Sequence, residues 1–136
     1  SAVFHARDVF APVGAWLANN TPLGSMGTPI NDAIRIEIPA VRAIPGGFRG
    51  AVLHIDHFGN LSTNISRGLL PEDTGSVRVK YREIEIPGLV SAFGDGQPGS
   101  LAALIDSDGF LSVCAVNGNA AERLNARIGD IVEVWF

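Results

Sequence analysis

The chain has 136 residues, of which 46% are hydrophobic and 18% charged, and carries a net charge of −4 at pH 7. That composition buries a core in one compact domain and excludes an intrinsically disordered chain. Ten Lys and Arg stand against fourteen Asp and Glu with no basic cluster, which excludes a nucleic-acid surface and points to a small-molecule or protein partner.

Cys114 is the only cysteine, so no disulfide framework or cysteine-ligated zinc site is available, and a reducing, cytoplasmic setting suits this usage. No window approaches the roughly 18 consecutive apolar residues of a membrane-spanning helix. The Asn-x-Ser/Thr triplets at Asn19, Asn60 and Asn64 read as chance, since the opening residues lack a secretion signal.

In chain order, "SAVFHARDVFAP" passes straight to His5, Arg7 and Asp8 without capping or turn chemistry, and so reads as the continuation of an upstream domain. Residues 7–19 place Val9, Phe10, Val13, Trp16 and Leu17 at spacings of three and four, which predicts a short amphipathic helix. "NTPLGSMGTPIND" then reads as a linker. From Ile34 the period changes to two. "IRIEI" (34–38), "GAVLHI" (50–55), "SVRVKY" (76–81), "REIEI" (82–86), "LAALI" (101–105), "FLSVCAV" (110–116) and "DIVEVWF" (130–136) predict six or seven short strands. Separated by Gly and Pro, they imply a mainly β fold, a small antiparallel β-barrel. One helical turn is expected at 119–127, closed by Gly129. Residues 1–33 thus form a helical tail and linker, and residues 34–136 the barrel.

"LHIDHFGNLSTNI" (53–65) conflicts with its own beginning: Leu53 and Ile55 alternate as in a buried strand, and then Asp56, His57, Phe58, Gly59 and Asn60 interrupt it. Gly weakens a strand, and a buried unpaired Asp or Asn is costly, so such a stretch is a candidate site. Three further clusters lie at strand ends or turns: His5 with Arg7 and Asp8, "FGDG" at 93–96, and "DSDG" at 106–109 with "NGNAA" at 117–121. Phe for stacking, Asn for amide hydrogen bonds and bare backbone at Gly suit a pocket for a flat polar ring. The plainer reading of "DG", "GD" and "NG" is turn chemistry, and that of His5, His54 and His57 is structural. "DSDG" lacks the further acidic ligands of a calcium loop, and no nucleophile-elbow, phosphate-loop or zinc-protease pattern occurs.

"VFHARDVFAP", "IDHFGNLSTNI", "FGDGQPGSLAALIDSDGFLSV" and "NGNAA" followed by "IGDIVEV" occur in this order. Together they resemble the S-adenosylmethionine hydroxide adenosyltransferases, relatives of the fluorinase and chlorinase enzymes. The resemblance runs from Val3 to the last strand. It implies the end of an N-terminal α/β domain, a linker and a C-terminal β-barrel. It also implies a homotrimer whose substrate lies between one subunit's N-terminal domain and its neighbour's barrel.

By that resemblance Asn60 would bond the adenine edge, Phe93 and Phe58 would line its face, and the backbone at Asn119 and Ala120 would read the ring nitrogens. Asp56 would meet the methionine ammonium; Ser107 and the backbone at Asp108 would hold its carboxylate. His5 matches the histidine of a water-positioning network, and Ala6 lacks the hydroxyl that holds a halide in the halogenating relatives, so the resemblance favours hydrolysis to adenosine and methionine. The reaction would need no cofactor and no metal. Two features depart from the pattern. Asp106 and Asp108 place carboxylates beside the substrate's own, and "VNGNAA" is longer than the halogenase version and lacks its Arg. A non-catalytic adenosine-binding or assembly barrel, and a purely structural barrel, are the alternatives.

Overall fold

A computed structural model describes residues 1–136, which divide into two compact units, Ser1–Ile36 and Glu37–Phe136. In the first, a π-helical turn over Ala6–Phe10 runs directly into helix α1 (Ala11–Ala18), with Pro12, which has no N–H to give the preceding turn, next to the junction. The expectation of an amphipathic helix is corrected: "APVGAWLA" has no polar side chain on any face, and none of its residues is buried within this unit.

The second unit holds eight strands: β1 (Arg42–Ile44), β2 (Gly47–Ile55), β3 (Leu61–Ser66), β4 (Arg78–Tyr81), β5 (Ile84–Ile86), β6 (Leu101–Ile105), β7 (Phe110–Ala115) and β8 (Ile131–Trp135). All ladders are antiparallel, in the order β5-β4-β8-β2-β3-β7-β6, with β1 added to β2. The sheet curls until its ends almost meet: Leu89, just after β5, bridges Ala103 of β6, and Val90 N–H donates to the Ala103 carbonyl at 2.8 Å. This is the expected mainly β, nearly closed barrel.

Three local expectations are corrected. Residues 34–38 form no strand; Ile34, Ile36 and Ile38 alternate but lie exposed and pair with nothing. β3 went unpredicted, although Leu61, Thr63 and Ile65 are buried in strict alternation with Ser62, Asn64 and Ser66. Helix α2 (Ala120–Leu124) ends at Asn125, which takes the left-handed conformation itself at φ 46°, while Gly129 serves a later turn.

Inside the barrel Val52, Leu61, Ile65, Val79, Tyr81, Leu111, Val113, Val132 and Val134 are almost completely buried. A second, smaller cluster joins Ala102 and Leu104 of β6, Cys114 of β7 and Val116 just after it, and Val90 packs against it. The 99–100 backbone is tied to the Val116 backbone, so the chain that follows β5 runs over this outer face.

At the other end of the barrel Tyr81, fully buried, donates its hydroxyl to Asp130 Oδ2 at 2.5 Å, and Arg82 Nη2 reaches the same oxygen at 2.8 Å. Burial, then the Asp130 bond, push the Tyr81 phenol up to about 12. As the chain's one tyrosine, it can be titrated alone by near-UV absorbance. Little tyrosinate is expected near the ordinary pKa of about 10; ionisation centred there would show a solvated hydroxyl.

Candidate functional site

The loop between β2 and β3 is organised by one carboxylate. Asp56 Oδ1 accepts from the backbone N–H of Phe58 and of Asn60, both at 2.8 Å, and Oδ2 accepts from Asn60 Nδ2 at 2.8 Å. The Asp56 N–H donates to the Asn60 carbonyl, and the Gly59 N–H, at φ +84°, returns to the Asp56 carbonyl. Burial would raise this carboxyl, but the bonds from Asn60, Phe58 and Gly59 outweigh it and hold it below the ordinary value. A five-residue interruption is thereby made rigid, which resolves the conflict the sequence shows here.

The β6–β7 turn repeats this geometry. Asp106 Oδ1 accepts from the N–H of Asp108 and of Phe110, Asp106 N–H meets the Phe110 carbonyl, and Gly109 at φ +81° returns to the Asp106 carbonyl. Asp106 is thus turned into its own loop, with Oδ2 accepting from Ser112 Oγ at 2.8 Å. Ser112 Oγ lies 3.3 Å from Ser62 Oγ, and Ser62 shares the face of Asn60 two residues before it. Asp106, Ser112 and Ser62 are thus linked across β7 and β3.

Asp56, Phe58, Asn60, Phe93, Gly94, Ala115, Asn117 and Gly118 line a cleft of about 580 Å³. The two rings are exposed at 72% for Phe58 and 50% for Phe93, apolar area for which this unit supplies no cover. His57 packs edge-on against Phe58, with centroids 5.7 Å apart. The Phe93 loop is held by Asp95, whose Oδ2 accepts from Ala92 N–H at 2.8 Å, and by Arg123, which donates to the Gly99 carbonyl.

Asn119 does not line the cleft but underlies it. Its Oδ1 caps α2 by accepting from Glu122 N–H at 2.9 Å, and Ala121 N–H donates to the Gly59 carbonyl, also at 2.9 Å, docking the loop onto the helix. Ala120 is buried beside it. Ser107 and Asp108 are exposed on the β6–β7 turn, outside the cleft and at the opposite end of β7 from Asn117. His5 immediately precedes the π-helical turn of the first unit, exposed, near an Arg7–Asp8 ion pair of 2.6 Å.

Within the "NGNAA" cluster it is Asn117 and Gly118, not Asn119, that line the cleft; "NG" also serves as turn chemistry, with Asn117 in the left-handed conformation at φ 51°. A larger cleft of about 730 Å³ between Arg78, Lys80, Glu85 and Trp135 contains none of the motif residues, and its Lys80 is paired with Glu83 at 2.9 Å. The smaller cleft, with two exposed rings and convergent amides, is therefore the candidate site. No group of three or more His, Cys, Asp or Glu is placed to hold a metal, and no helix is long and apolar enough to cross a membrane.

The family model for the SAM hydroxide adenosyltransferase C-terminal domain matches residues 50–133, nearly the whole of the barrel. The chain belongs to that family. It is 39% identical over 98% of its length to the (R)-S-adenosyl-L-methionine hydrolase of Salinispora tropica, covering 51% of that protein. Similarity extends to the hydrolase of Thermus thermophilus, at 34% identity over 94% of the chain, and to a fluorinase of Actinoplanes, at 32% over 96%. Among solved structures, an uncharacterized conserved protein of Thermotoga maritima superposes over the whole chain at a TM-score of 0.74 and 33% identity, with 54% of that protein covered. The chain spans about half the length of the curated relatives it matches.

Proposed function

We propose that this family member supplies the nucleoside-binding part of an S-adenosylmethionine hydrolase, in which water displaces methionine at the ribose C5′ to give adenosine and L-methionine. The single observation that carries this reading is the cleft that brings Phe58, Asn60 and Phe93 together in a member of this family. The adenine would stack on the two rings and meet the Asn60 amide. The backbone near Asn119 and Ala120 would face the ring nitrogens, and the methionine end would lie toward Asp56 and the Ser107–Asp108 turn.

Displacement from a sulfonium needs little covalent help: methionine leaves as a neutral thioether, and the attacking water loses its proton. Aligning water, carbon and sulfur and excluding bulk solvent carry most of the burden. His5, in a network whose Asp and Arg members would come from the upstream N-terminal domain, would hold the water and take its proton, opposite the barrel of a neighbouring subunit in a trimer. No organic cofactor or metal enters this scheme.

The natural gene product carrying this segment should release adenosine and methionine from S-adenosylmethionine without halide, followed by chromatography. His5→Ala is expected to lower turnover by roughly 10²-fold or more while leaving adenosine binding intact, and Asn60→Ala to weaken adenosine binding roughly tenfold with little loss of stability. Adenosine binding without turnover would instead favour a non-catalytic binding barrel. The absence of both would overturn the proposal.

A further inference from the structure

We propose that Arg123 is a positioning residue: from α2 it latches the β5–β6 loop, which carries Phe93, so that one short helix sets the place of both aromatic rings of the cleft; this rests on the nucleoside reading above. Phe58 and Phe93 line the same cleft, but no hydrogen bond joins their loops to each other. Each is joined instead to α2. Ala121 N–H donates to the Gly59 carbonyl on the Phe58 side, and Arg123 Nη1 donates to the Gly99 carbonyl at the end of the Phe93 loop. A guanidinium donor makes a stronger bond to a carbonyl than a neutral group does.

Little else holds the β5–β6 loop down. Its ends are pinned, by Val90 N–H on the Ala103 carbonyl at 2.8 Å and by Gly99 N–H on the Val116 carbonyl at 2.6 Å. Between the pins, residues 91–98 hydrogen-bond only within the loop, through Asp95 with Ala92 and Ser100 with Gln97, and all but Gly96 are exposed. A span with so few buried contacts opens at a lower free-energy cost than the sheet beneath it. What it covers is the small cluster of Ala102, Leu104, Cys114 and Val116: Val90 packs on that cluster, and a Cβ on Gly96 would lie 2.9 Å from Val116 Cγ2. Cys114 is therefore a built-in reporter. It is fully buried, and burial pushes its thiol up, so it reacts slowly until the loop lifts.

Alkylation of Cys114 by iodoacetamide in the natural gene product, followed by peptide-resolved mass spectrometry beside adenosine titrations and urea unfolding, tests this. Arg123→Ala is expected to speed Cys114 alkylation by roughly tenfold and to weaken adenosine binding by roughly three- to tenfold at an unchanged urea midpoint. Arg123→Lys, which keeps a cationic donor, should recover most of both, and saturating adenosine should slow alkylation of the wild type. A merely structural role for Arg123 would lower the urea midpoint and speed alkylation only as far as the unfolded population grows. That result, an alkylation rate unmoved by Arg123→Ala or by adenosine, or faster alkylation at undiminished affinity, overturns the inference while leaving nucleoside binding standing. Failure of the wild type to bind adenosine overturns the nucleoside reading itself, and the alkylation rates of the variants then still decide whether Arg123 holds the loop.

Discussion

Gly59→Ala is expected to destabilise the barrel by about 2–5 kcal/mol and to abolish adenosine binding at the cleft. Two effects add. Gly59 has φ +84°, where an L side chain is strained by about 1–2 kcal/mol. A Cβ there would also overlap the Asn119 side-chain amide, the group that caps α2. Relief requires either giving up the cap, about 0.5–2 kcal/mol, or lifting the loop off α2 and breaking the bond from Ala121 N–H to the Gly59 carbonyl. Gly109 is the internal control. It holds the same position in the matching β6–β7 turn at φ +81°, but an added Cβ meets nothing within 4 Å. Gly109→Ala should therefore cost only the backbone strain and leave adenosine binding unchanged. Urea unfolding of the two variants, with adenosine titrations of each, separates the contributions. Equal losses of stability would mean that the Gly59–Asn119 contact contributes nothing.

These two turns show how far residue patterns reach. The Gly and Asp of 56–60 and 106–109 are readable as turn chemistry, and the conflict between strand and loop at 56–60 is readable as a site. What alternation cannot supply is a pairing partner. "IRIEI" has a perfect period of two and forms no strand, because a strand is a ladder and residues 34–38 have no neighbour to bond. β3 is the converse: Ser62, Asn64 and Ser66 dilute its apolar signal, yet β2 and β7 flank it on both sides and complete its ladders. Residue types near Asn60 suggest a flat polar ligand, but that Asp56 is occupied in holding Asn60, rather than free, depends on how the loop closes. The closeness of Phe93 to Asn60 depends on the path of the chain after β5, which has no local signature. Tyr81 and Asp130, 49 positions apart, meet only because β4 pairs with β8.

Asp130→Ala should cost about 2–4 kcal/mol, because it orphans a hydroxyl on a fully buried ring. It also removes the acceptor for Arg127 N–H, 2.6 Å away in the turn before β8; the half-exposed Arg82 partner adds little. If the orphaned hydroxyl dominates, removing it as well must help: Tyr81→Phe with Asp130→Ala should be no less stable than Asp130→Ala alone, a coupling that a double-mutant cycle measures. The pH dependence provides a second arm. Burial would raise the Asp130 carboxyl, but Arg82, Tyr81 and the Arg127 N–H together hold it below its ordinary value. A carboxyl depressed in the folded state stabilises above its unfolded pKa, about 3.9, and loses that contribution as pH falls through the lower folded value. The gap between wild type and Asp130→Ala should therefore be full near neutrality and narrow only below about pH 4. Tyr81 runs the opposite way. Its phenol, raised to about 12, contributes fully below the unfolded value of about 10 and loses that contribution as pH climbs between the two. A wild-type stability curve flat through both windows would show that this cluster, despite its short hydrogen bonds, does not couple the closure of β4 on β8 to protonation.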